Sequence, residues 1–108
     1  MLLEAKMESV IDVNSLWEAL KKVYDPELQL DIVSLGLVYK LEANGGEVNI
    51  DLTMTSPGCP LAAQIAFNAQ NELSKVKGVE KVNLNLVWSP PWTPDKMSEE
   101  AKAVLGLI

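Results

Sequence analysis

A chain of 108 residues has room for one domain around one modest core. A net charge of −6, with 15 acidic against 9 basic side chains and no local Lys/Arg stripe, argues against nucleic acid as the main ligand. One cysteine and no histidine exclude an internal disulfide, a Cys–His nucleophile, a CxxC redox pair and a closed four-ligand zinc site of cysteine and histidine.

No apolar run approaches the roughly 20 residues of a membrane span, and the start, MLLEAKMESV, lacks the apolar block of a signal peptide. A lone thiol fits a reducing compartment, so a cytoplasmic protein is expected.

The first predicted element is a helix over NSLWEALKKVYDPEL. Leu16, Leu20, Val23 and Tyr24 recur at helical spacing, and Ser15 with Glu18 fits a capping box. Asp25-Pro26 is its expected end, because the residue before proline is driven out of the helical region. GLVYKLEANGGEVNIDLTMT predicts a hairpin. Leu37, Tyr39 and Leu41 alternate, Asn44-Gly45-Gly46 turns the chain, and Val48, Ile50, Leu52 and Met54 alternate back.

A second helix is predicted from Pro60 to about Lys77, with Leu61, Ile65, Ala69, Leu73 and Val76 on one face and Gly78 as its stop. Val82, Leu84 and Leu86 mark a third strand. SPPWTP is a rigid loop, and SEEAKAVLG a last short helix with Ser98 as N-cap. The order helix–strand–strand–helix–strand–helix predicts an α+β two-layer sandwich on a three-stranded mixed sheet. Its third strand runs parallel to the second, because a helical crossover joins them. The neighbour of the third strand does not follow from periodicity.

The thiol lies in TMTSPGCPL. Proline suits the first helical position, so Cys59 is expected at the N-cap of the second helix. There the helix dipole favours a thiolate by about 0.3–1 kcal/mol, a mild activation. The plain alternative is a small residue filling a tight turn. Asp25 and Glu27 flank Pro26, and read by themselves they are solvated acids at a helix stop. Thr53 and Thr55 alternate with Met54, which places both hydroxyls on one side of the strand; in isolation they are ordinary strand residues facing water. Trp88 and Trp92 bracket Pro90-Pro91, and the commoner use of such tryptophans is to cap the core.

Together, YDPELQLDIVSLGLVYKL, DLTMTSPGCPL and VWSPPWTPDKMSEEAKAVLGL resemble the metal–sulfur cluster assembly family, which includes SufT-like and PaaD-like proteins and the cytosolic iron–sulfur targeting factors. The resemblance runs from about Leu16 to the end of the chain, with three separated blocks in the right order. It implies a single domain over residues 1–108, similar to the C-terminal domain of the NifU scaffold. The implied role is assembly, carriage or delivery of iron–sulfur clusters for client apoproteins, without enzymatic turnover. Carried over by position, the family's DPE segment falls on Asp25, Pro26 and Glu27, and its cysteine loop on Thr53, Thr55, Cys59 and Pro60. Its tryptophan–proline segment falls on Trp88, Pro90, Pro91 and Trp92.

The resemblance implies that Cys59 is the metal ligand, with Asp25, Glu27, Thr53 and Thr55 beside the same iron or iron–sulfur cluster, held transiently. Trp88 and Trp92 would contact assembly proteins and clients, and a homodimer is one arrangement for the loaded state. Carboxylates near a thiol raise its pKa, whereas a metal ion stabilises thiolate and carboxylate together. Acids beside Cys59 therefore fit metal handling better than thiol catalysis. Two other readings stand beside it: an adaptor without metal chemistry, and a small thiol enzyme using Asp25 or Glu27 as base.

Overall fold

A computed structural model describes residues 11–55 and 61–107 of the chain. Its first helix, α1, spans Val13–Leu20 and is capped by Asp12, whose carboxylate accepts from the Asn14 N–H at 3.0 Å. The cap is thus three residues earlier than the expected Ser15. The helix also stops earlier than Asp25. Tyr24–Asp25 (β1) instead pairs antiparallel with Leu30–Asp31 (β2), with Tyr24 opposite Asp31 and Asp25 opposite Leu30. Pro26 forces Asp25 to be extended, and the β2 partner extends Tyr24 with it. Tyr24, expected on the apolar helical face, is consequently exposed.

The hairpin forms as predicted. β3 (Val38–Asn44) pairs antiparallel with β4 (Glu47–Leu52) across Gly45, whose φ of 62° is the left-handed value that favours glycine. One expectation fails inside it. The register shifts between Val38 and Lys40, so Val38 opposes Leu52 while Lys40 opposes Asp51. The extra residue breaks the alternation of Leu37, Tyr39 and Leu41. Leu41, opposite buried Ile50, stays on the core side, and the Tyr39 hydroxyl instead donates to the Pro90 carbonyl at 2.8 Å.

After the crossover helix α2 (Ala62–Ser74), β5 (Lys81–Leu86) lies parallel to β4, giving a three-stranded mixed sheet of order β3-β4-β5. Hydrogen bonding thus settles what periodicity left open: the third strand lies beside the second. Val48, Ile50 and Leu52 of β4 face the helices, meeting Ile65, Ala69 and Leu73 of α2, and α1 packs on α2. The other face carries a polar ladder in which Asn83 bridges Asn49 and Glu47, at 2.9 and 3.1 Å. A single 3-10 turn at Pro94–Lys96 leads into α3 (Glu99–Val104), where the Ser98 hydroxyl caps Ala101 N–H at 3.1 Å as expected. Among the described residues, no helix is long and apolar enough to cross a membrane.

Candidate functional site

The N-cap of α2 is Leu61, which makes no side-chain cap bond. Proline at position 60 is therefore not the first helical residue, and Cys59 precedes the cap by two positions. Cys59 itself falls at residues 56–60, outside the described residues.

The strand end that leads toward that stretch is tied to the turn from Asp31 to Leu37. Asp31 closes it, its Oδ2 accepting from the Ser34 N–H at 2.9 Å. A backbone chain then runs outward in both directions. Thr53 N–H donates to Leu37 O at 2.9 Å, Leu37 N–H to Ile32 O at 3.0 Å, and Ile32 N–H to Val23 O at 2.9 Å. The C-terminal segment docks on the same turn. Trp92 Nε1–H donates to Leu35 O at 2.6 Å, and Ser98 N–H to Ser34 O at 2.8 Å. Gly36 permits this approach: its φ is 75°, and a Cβ there would overlap the Lys96 carbonyl.

Among the described residues, only two polar side chains are buried, and both were singled out from the sequence. Asp25 is 4% exposed and Thr53 is 1% exposed. Asp25 Oδ1 accepts from the backbone N–H of Glu27 at 2.8 Å and of Leu28 at 3.3 Å, so this carboxylate shapes its own turn. Glu27, in the same turn, is exposed. Thr53 lies just beyond the end of β4, where Leu52, Thr53 and Met54 are all buried. The expected two-sided alternation has ended there, and Thr53 does not face water. Thr55, the last described residue before position 56, is half-buried. The structure thus joins Asp25 and Glu27 in one turn and ties Thr53 to the neighbouring Val23 through three backbone bonds. It shows no hydrogen bond between the Asp25 and Thr53 side chains.

Among the described residues, no group of three or more cysteine, aspartate or glutamate side chains could hold a metal ion. With one Asp25 oxygen engaged by its own turn and Glu27 turned to solvent, these carboxylates do not make a metal centre by themselves. One thiol per chain is also fewer than the ligands of a conventional iron–sulfur centre.

The two tryptophans differ. Trp92 is half-buried against the core, whereas Trp88 is 43% exposed. Next to this segment a cleft of about 720 Å³ opens between Tyr39, Asp51, Ser89 and Lys96. The part that Ser34 and Leu35 play, their carbonyls receiving the C-terminal segment, is not legible in the sequence, because backbone acceptors leave no residue-type signal.

These buried residues and the cysteine stretch lie within residues 14–84, which match the family model described as iron-sulfur cluster assembly protein. The chain belongs to this iron–sulfur cluster assembly family. Similar proteins include the Fe-S protein maturation auxiliary factor SufT of Staphylococcus aureus, 46% identical over 79% of this chain and 98% of that protein. The Fe-S protein maturation auxiliary factor YitW of Bacillus subtilis is 44% identical over 94% of this chain and 99% of its own. A crystal structure of a domain of unknown function from Bacillus anthracis superposes with a TM-score of 0.81 at 43% identity, covering 88% of this chain and 92% of that one. The family match stops at residue 84, so Trp88 and Trp92 lie beyond it. Among the described residues of the matched part, Asp25 and Thr53 are the buried polar positions.

Proposed function

We propose that this protein handles iron–sulfur clusters as cargo, accepting or passing them through the Cys59 thiolate during maturation of client proteins. The names of its relatives, maturation auxiliary factors, support the role. The observation that carries it to particular residues is the Thr53–Leu37–Ile32–Val23 backbone chain. It links the Asp25 turn to the strand end from which the chain enters its thiol-bearing stretch.

In this reading Cys59 supplies the soft ligand that iron–sulfur chemistry prefers. Glu27, exposed, and the Thr53 and Thr55 hydroxyls act as outer groups around it, and Asp25 holds the turn that presents Glu27. The remaining ligands come from a client, a second copy or a small thiol, so the loaded state is a complex and the cargo is labile. Lability suits delivery. The role is carriage rather than turnover, and a lone thiol suits a reducing cytoplasm. Trp88, exposed, is the client contact, while Trp92 supports it from the fold.

Anaerobic reconstitution with iron and sulfide tests this. Wild type is expected to gain the visible absorption of a cluster, and Cys59→Ser to lose it while keeping its circular dichroism. Cys59→Ser is also expected to fail in maturing an iron–sulfur client. Full client maturation with the serine variant overturns the thiol's role and leaves the adaptor reading. A stably loaded strict monomer without added thiol overturns the shared ligand shell.

A further inference from the structure

The two edges of the sheet are unlike. β3 carries devices that discourage pairing: a register shift at Val38–Lys40, and Lys40 paired with Glu42 at 3.4 Å. β5 has neither. Residues 82–94 carry no charged side chain, and neither do residues 52–71, in a chain with 24 charges (15 acidic and 9 basic). The fold brings parts of these two runs together, because α2 packs against β5.

The resulting surface has apolar and amide side chains. Phe67 is 64% exposed and Leu86 39% exposed, with Val82 and Leu84 half-buried between strand and helix. Gln70, from α2, reaches the Val82 carbonyl at 3.4 Å. Absence of charge with exposed aromatic side chains is the composition of an interface core rather than of a solvated face.

The backbone of β5 fixes which groups are free. Val87 N–H donates inward to Leu52 O, and Lys81 N–H inward to Gly46 O. In a parallel ladder alternate residues bond to opposite sides. Odd-numbered residues of β5 therefore bond β4, and Val82, Leu84 and Leu86 aim their N–H and C=O groups outward. The Val82 carbonyl reached by Gln70 agrees with this. Among the described residues, no backbone carbonyl accepts from the N–H of Val82, Leu84 or Leu86 across that edge.

We infer that the outer edge of β5 is a self-association surface, on which a second copy of this chain adds its own β5 antiparallel. A two-fold axis at Leu84 opposes Leu84 to Leu84 and Val82 to Leu86, so the residues with outward backbone groups meet one another, with Gln70 yielding the Val82 carbonyl it reaches at 3.4 Å. The same register matches apolar side chains on the helix face and sets Asn83 against Asn85 on the other. Amides both donate and accept, so such a surface complements its own copy. Lys81 falls opposite Val87, and no like charges meet. That charge match selects the second copy: two neutral edges meet, and the acidic side chains that give each chain its −6 stay off the paired edge. The product is one continuous sheet of six strands, three from each chain. An antiparallel pair sets the Thr53–Thr55 ends at opposite ends of the paired strands, so this dimer does not bridge one cluster with both cysteines. It forms without metal.

Sedimentation equilibrium of the full chain under reducing, metal-free conditions reads the outcome. The weight-average mass is expected to rise about twofold with concentration, from one chain to two. Leu86→Lys places a charge on the edge and is expected to keep the protein monomeric. Leu84→Pro removes one outward N–H while leaving the β4 ladder intact, and is expected to do the same. Val104→Lys, an exposed position on α3, makes the same charge change elsewhere and is expected to dimerise like wild type. Circular dichroism verifies folding, and Leu86→Lys decides if the proline variant does not fold. A wild type that stays monomeric into the millimolar range overturns the inference, whatever other strand the edge accepts. So does a dimer that Leu86→Lys leaves intact.

Discussion

The Trp92 indole donates to the carbonyl of Leu35, 57 positions earlier, at 2.6 Å. This bond makes the SPPWTP loop and the Asp31–Leu37 turn one unit, seconded by Ser98 on Ser34. The turn is in turn bonded to Thr53 and Val23. Described parts of three sequence blocks that read as separate motifs are therefore bonded into one assembly.

Replacing Trp92 by Phe keeps most of the apolar contact and removes the donor. The expected loss is about 0.5–1.5 kcal/mol, the net value of one hydrogen bond, read as a lower urea midpoint. Trp88→Ala, at an exposed position, is expected to change stability by no more than about 0.5 kcal/mol while weakening client binding in a pull-down. Equal effects of the two variants on client binding at equal stability would contradict the division of labour.

Asp25 separates shape from charge. Asp25→Asn retains an Oδ1 acceptor for Glu27 and Leu28 N–H and is expected to keep the turn. Asp25→Ala removes it and is expected to cost about 1–2 kcal/mol, the range for lost capping acceptors. If the carboxylate itself serves the cargo, Asp25→Asn combined with Glu27→Gln lowers iron retention after anaerobic loading at near wild-type stability. Unchanged retention in that double variant would leave Asp25 with the turn alone.

Gly36→Ala is expected to be among the more damaging single changes. A left-handed φ costs an alanine roughly 1–2 kcal/mol, and the overlap with the Lys96 carbonyl adds about 1–3 kcal/mol of overpacking. The measurement is the denaturant midpoint. A further mark is higher exposure of the tryptophans to a fluorescence quencher, as the C-terminal segment lifts from its turn.

Burial raises the Tyr39 hydroxyl above its ordinary pKa of 10.0. The folded state therefore holds that proton more tightly than the unfolded chain. The stabilising effect is complete below the unfolded value and is lost as pH rises from there through the folded value. Stability is expected to fall on the alkaline side of 10.0, and Tyr39→Phe to flatten that part of the profile. A wild-type profile that Tyr39→Phe leaves unchanged would show that the phenol does not contribute.

Local residues were enough for the order of the three helices and the three strands of the main sheet, the parallel crossover and the core faces. Ile65, Ala69 and Leu73 at helical spacing, and Val48, Ile50 and Leu52 at strand spacing, each report a buried face through their own periodicity. The motif blocks also singled out Asp25 and Thr53, although their burial, which sets them apart among the described polar side chains, was not legible in them. Tertiary structure decided the rest. The early end of α1 depends on pairing between Tyr24–Asp25 and Leu30–Asp31, and the face of Tyr39 on a register shift against β4. The docking of Trp92 and Ser98 depends on the carbonyls of Leu35 and Ser34. Each is a backbone partnership between separated segments. Every residue type offers the same carbonyl oxygen, so only the folded chain selects which one is used.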